Sequence, residues 1–145
     1  MLLKTGLHPR QLKLEITETA LVEDNPDTRI VLDGFQKLGI SLSLDDFGTG
    51  YSSLSYLCRY SFDAIKIDRS FIIGLPQDES DRAIVSATIA MAQALKLAVV
   101  AEGVETQAQM DCLRELDCAS YQGFLCSPAM PADAFARWMA AQSGN

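Results

Sequence analysis

The chain has a single histidine, His8, and its four cysteines, Cys58, Cys112, Cys118 and Cys126, form no Cys-x-x-Cys pair. Zinc sites are built from clustered His and Cys, so a zinc protein of the usual kind is excluded. Scattered thiols without pattern suit the reduced state and a cytoplasmic location. Basic residues are also scarce. Twelve Lys and Arg face nineteen Asp and Glu, for a formal net charge of −7. Binding to duplex nucleic acid needs a basic footprint, so that class is excluded as well. A small anionic ligand is not excluded, because bound cations reverse the local field. Long apolar runs are missing too. The N-terminus MLLKTGLHPR has no signal-like core, and the most apolar stretch, Ala83 to Val100, is interrupted by Ser86, Thr88, Gln93 and Lys96. That stretch reads as a buried helix followed by a strand, with no membrane contact. No linker, low-complexity tract or charge block divides the 145 residues, which read as one domain.

What is present is an alternation of short β-rich runs and helical segments. Strands are expected at Leu12–Ile16, Ser41–Asp46, Phe62–Asp68, Ala98–Glu102 and Ala119–Gly123. Between the first two, Pro26 opens a helix whose apolar face is Val31, Phe35 and Leu38, and Gly39 stops it. A short helix near Leu54–Arg59 follows the second strand, and an alanine-rich helix runs from Glu79 to Leu95. Thr106 and Gln109 have capping-box spacing, so a helix extends from there to about Leu116. Pro131 begins a last helix ending near Ala141. Strands separated by helices imply an α/β fold with parallel pairing. The strands read as continuously apolar, which predicts a sheet buried on both faces.

Each strand ends on polar or ionisable residues where apolar ones bury more cheaply. These are Glu15 and Glu18, Asp45 and Asp46, Lys66 and Asp68, Glu102 with Glu105, and Gln122. In α/β barrels and open α/β sheets the C-terminal strand edge is where sites are built. A single such acid is usually a solvated loop residue or a helix cap; five strand ends with the same feature are not explained that way. Carboxylates gathered on one rim repel each other unless neutralised. Oxygen ligands without His or Cys suit hard cations, Mg²⁺ or Mn²⁺. The adjacent Asp45 and Asp46 suit a pair of ions, one carboxylate bridging while its neighbour serves the second. Two such ions stabilise the attacking and leaving oxygens of phosphoryl displacement. Lys66 is placed to orient water or offset phosphate charge.

The loop Phe47-Gly48-Thr49-Gly50-Tyr51-Ser52-Ser53 follows the aspartate pair. Its glycines permit close approach to a ligand, and equally an ordinary tight turn. It lacks the lysine of a P-loop and the third glycine of a dinucleotide fingerprint.

With LEITET, DDFGTGYSSL, FDAIKIDRSFI, AEGVET and YQGF in this order and spacing, the chain resembles the EAL-domain family of bacterial cyclic di-GMP phosphodiesterases, from about Leu12 to Trp138. The resemblance implies a modified TIM barrel that hydrolyses cyclic di-GMP to the linear dinucleotide pGpG with Mg²⁺ or Mn²⁺. It implies that Glu15, Asp45, Asp46 and Glu102 are metal ligands, that Gln122 holds a metal-linked water, and that Lys66 positions the hydrolytic water. Glu18 resembles the glutamate that steadies the glycine-rich loop, and Glu105 the supporting second glutamate of EGVE. Asp68, Gly48, Thr49, Gly50, Tyr51 and Ser52 fall with the substrate-binding or loop residues. Family members often dimerise, here through the region after Asp46, and often carry a GGDEF, PAS or receiver domain upstream.

One departure is large. The Glu-Ala-Leu strand that names the family, and the metal-binding Asn of a following strand, have no counterpart in this sequence. The chain is expected to supply about five of a TIM barrel's eight βα units. An incomplete barrel exposes two strand edges. The alternative reading is therefore a non-catalytic module that binds cyclic di-GMP or a partner, inactive for want of the N-terminal ligands.

Overall fold

The computed structural model describes residues 5–21, 26–48 and 53–142. Five parallel strands form one sheet in the order β1-β2-β3-β4-β5. They are β1 Lys13–Thr17, β2 Ser41–Phe47, β3 Ala64–Ile67, β4 Ala98–Ala101 and β5 Ser120–Tyr121. The helices between and after them are α1 Pro26–Lys37, α2 Ser53–Arg59, α3 Arg69–Ile72, α4 Glu79–Ala94, α5 Gln107–Glu115 and α6 Ala132–Gln142. Two 3-10 turns, Pro9–Gln11 and Glu18–Leu21, flank β1. Strand order equals chain order because each crossover returns the chain to the same edge, the signature of a βα barrel segment. No helix among the described residues is long and apolar enough to cross a membrane.

Residue type, rather than burial, follows the two-residue alternation of a pleated strand in β2 and β3, where Ser43 and Lys66 are buried as deeply as their apolar neighbours. Leu42, Leu44, Ile65 and Ile67 are fully buried against the helices. They join Phe47, Tyr56, Tyr60, Phe62 and Ala92 in one cluster, and Ile72, Val85, Ile89, Val104 and Leu113 in another. At about 1.5–3 kcal/mol for each large apolar side chain removed from water, these two clusters hold the helices on the sheet.

The other face differs from the expectation of strands apolar throughout. Register pairs Glu15 with Ser43, Thr17 with Asp45, Ser43 with Ala64, and Lys66 with Val100. These paired residues share the face opposite the helix-packed leucines and isoleucines, and apart from Ala64 and Val100 they are polar or charged. The sheet is therefore uniformly apolar on the helix side and mixed on the other. Ser43 is fully buried there, and its hydroxyl has no hydrogen-bond partner in the structure. In a barrel this face is the lumen, where side chains from several strands meet.

Two expected boundaries also shift. Glu15 sits at the centre of β1 rather than at its end. The fifth strand shrinks to Ser120–Tyr121, because the chain turns away at Gly123.

Candidate metal centre

The site starts from a fault in β2. Leu44 pairs with Ile65 and Phe47 with Ile67, so two residues of β2 oppose the single Lys66 of β3. The extra residue is a β-bulge, a device that re-aims side chains. Asp46 absorbs it with a left-handed backbone, φ 54°. Asp is among the few L-residues that tolerate this conformation. Successive residues of a regular strand point to opposite faces; the bulge brings both neighbouring aspartates to one side. Oxygens of Asp45, Asp46 and Glu102 all lie within 4.8 Å of one another, the one such group of three among the described residues.

Lys66, from the middle of the next strand, lies under this group. Its ammonium is 2.7 Å from Glu15 Oε2 and 3.1 Å from Asp45 Oδ1, and it also contacts Glu102 Oε1. Burial works to lower its pKa. Hydrogen bonds to Glu102, Glu15 and Asp45 outweigh burial and hold it above the ordinary lysine value. Burial raises the Glu102 carboxyl; Asp45 and Glu15 add to this and Lys66 opposes it. Asp46 is raised by burial, then by the charges of Asp45 and Asp68, again against Lys66. Three carboxylates thus contact one ammonium with a fourth, Asp46, close by, and negative charge remains uncompensated. At an effective dielectric near 20, each unit-charge contact at about 4 Å is worth roughly 4 kcal/mol, so this deficit favours a bound cation. All-oxygen donors fit a hard divalent ion.

The remaining expected residues take distinct places. Gln122 donates from Nε2 to Glu102 Oε1 at 2.6 Å and so orients that carboxylate. Asp68 caps α3, accepting from the Ser70 amide at 3.0 Å. Burial raises its pKa, but hydrogen bonds from Ser70 prevail and lower it overall. Glu105 pairs with Arg69 at 2.8 Å. Glu18 is buried in the turn after β1 and stands outside the three-carboxylate group. Gly48 has φ 97° and its Cα faces the Phe71 ring so closely that an added Cβ would lie 3.0 Å from it. Thr49, Gly50, Tyr51 and Ser52 lie outside the described residues.

Sequence reasoning passed over Arg69 and Phe124. With Gly103, Glu105 and Gly123 they line a cavity of about 240 Å³. Both lie inside motifs quoted above, Arg69 in FDAIKIDRSFI and Phe124 in YQGF, but neither was singled out as a site residue.

A parallel βα sheet with acids near its C-terminal strand ends and a lysine among them defines a segment of a βα barrel. Residues 1–129 match the EAL domain family. The chain is 49% identical over 138 residues to the cyclic di-GMP phosphodiesterase NbdA of Pseudomonas aeruginosa, covering 95% of this chain and 18% of that protein. It superposes on the Pseudomonas aeruginosa MucR phosphodiesterase in complex with c-di-GMP, TM-score 0.86 at 47% identity, over 92% of this chain and 54% of that one. It also superposes on Klebsiella pneumoniae BlrP1 in a manganese and c-di-GMP complex, TM-score 0.81 at 38% identity, over 86% of this chain and 32% of that one. The chain belongs to the EAL domain family, and it spans about half of the solved MucR chain and under a fifth of NbdA.

Proposed function

We propose that the chain is a single-domain portion of a phosphodiesterase that hydrolyses cyclic di-GMP to linear pGpG using two Mg²⁺ or Mn²⁺ ions. The reading rests on one observation above all: Asp45, Asp46 and Glu102 present oxygens within 4.8 Å of each other, from two strands distant in sequence. Asp45, Asp46, Glu102 and Glu15 would hold the cations, and Gln122 orients the Glu102 carboxylate by its hydrogen bond. When bound, the ions supply Lewis-acid charge at the phosphoryl oxygens. Lys66 orients a water for in-line attack and offsets phosphate charge. Water attack on one phosphodiester forms a new P–O bond as the bond to the ribose oxygen breaks, opening the ring. The cavity lined by Arg69 and Glu105 would receive part of the dinucleotide.

Turnover of cyclic di-GMP to pGpG with Mn²⁺ tests this. Asp45→Asn is expected to lower the rate by roughly 10²-fold or more, as removal of a key electrostatic group does elsewhere. Equal rates for the two chains would reject the metal assignment.

A second reading is a module that binds cyclic di-GMP without cleaving it. The Glu15 side chain is 45% exposed, more open than a ligand enclosed by a full barrel. Calorimetric binding of cyclic di-GMP with no pGpG formed favours that reading.

A further inference from the structure

We infer that Lys66 is a built-in competitor of the metal, holding the carboxylates closed until cations displace it. The inference rests on the metal reading above. An ammonium group has three N–H donors. Those of Lys66 face three carboxylates, Glu15 at 2.7 Å, Asp45 at 3.1 Å and Glu102. Every one of these acids is also a candidate cation ligand. The side chains of Lys66, Asp45 and Glu102 are 5%, 18% and 16% exposed, so water screens these two pairs little, while Glu15 at 45% is more open. In this arrangement the ammonium donates a hydrogen bond to Glu15 and is held in ion contact by Asp45 and Glu102, so the acids occupy its charged end.

A cation arriving at Asp45, Asp46 and Glu102 takes the lone pairs that the ammonium uses, and it repels the ammonium as well. Loading and lysine release are therefore one exchange. Displaced from the acids, the ammonium gains the free donors that water positioning requires. The group that orients the nucleophile is thus freed only when the site is charged. The uncompensated acids give the metal its affinity, and Lys66 subtracts from that affinity while stabilising the metal-free fold.

The test is calorimetric titration of the 145-residue chain with Mn²⁺, alongside thermal melts in chelator and in Mn²⁺. Lys66→Met is expected to bind Mn²⁺ about tenfold more tightly than the parent, since a neighbouring positive charge is gone. Its melt in chelator should fall, and Mn²⁺ should raise that melt by more than it raises the parent's. Lys66→Arg, which keeps the charge, should bind as the parent does. Lys66→Gln carries the expectation of the Met variant if the latter does not fold. Unchanged or weaker Mn²⁺ binding in the neutral variants, with a lowered melt, makes Lys66 a structural partner only and overturns the inference while the metal reading stands. Tight binding by Lys66→Arg equal to that of Lys66→Met overturns it too, because charge would not be the cause. Absence of Mn²⁺ binding in parent and variants alike removes the metal reading and the inference together.

Discussion

Asp46 carries two costs at once, a left-handed backbone at φ 54° and a carboxyl whose pKa is raised by burial and by Asp45 and Asp68. Both are tolerated because they place a second aspartate beside the first. Asp46→Asn keeps the side chain best suited to the left-handed region after glycine and removes the repulsion. The variant should melt higher than the parent in chelator, yet bind Mn²⁺ at least roughly 10–100-fold more weakly. Thermal melts and calorimetry check the two halves. The pH dependence follows from the same residues. Asp46 and Glu102 have folded pKa values above their unfolded ones. The native state therefore binds protons more tightly there, and stability is lost as pH rises through those values. The metal-free chain should melt higher on mild acidification from neutral. Asp46→Asn should flatten this slope. Asp68 has the opposite sign: its pKa is lowered, so its contribution is present above the unfolded value and lost as pH falls through the folded one. Melts across pH 4–8 would show the gain first and the loss only at the acid end.

The helix α5 illustrates how much of an element is written locally. Thr106 accepts from the Gln109 amide at 3.2 Å, and Gln109 Oε1 accepts from the Glu105 and Thr106 amides at 2.9 and 3.0 Å. The Thr-x-x-Gln spacing alone foretold this box. It did not foretell that Gln109 Nε2 also donates to the Ile72 carbonyl at 3.1 Å, tying α5 to α3. Gln109→Leu leaves buried amides and a carbonyl unpaired and should cost about 2–3 kcal/mol in urea unfolding. The four-residue α3 gave no warning in the sequence, because one turn is too short to show a 3.6-residue period. Strand β5 was expected longer than it is. Gly123 explains its end: φ is 155°, and an added Cβ would lie 2.2 Å from the Val104 carbonyl oxygen. That close approach lets the Val104 amide reach the Gln122 carbonyl at 3.1 Å and holds Gln122 beside Glu102. Gly123→Ala should destabilise the chain by about 1–3 kcal/mol and weaken Mn²⁺ binding along with it, read by melts and titration.

At the scale of the molecule, the parallel sheet brings Glu15, Asp45 and Glu102 into contact with Lys66, although the sequence separates the first from the last by most of the chain. Ligand binding to the folded state adds stability by mass action. Mn²⁺ at 100 times its dissociation constant should add about 2.7 kcal/mol, and chelator should remove it. A chain whose melt ignores both would have no metal centre. The sequence by itself determined the α/β alternation, most of the strand and helix positions, the acids and the family, because each depends on local periodicity, caps and motif spacing. Tertiary structure alone decided that the sheet is mixed on its lumen face. It alone decided that a bulge turns Asp46 to the side of Asp45, and that the Lys66 ammonium sits against three acids at once. Those facts depend on register between strands far apart in the chain, and no local pattern of residues encodes how one strand slides past its neighbour.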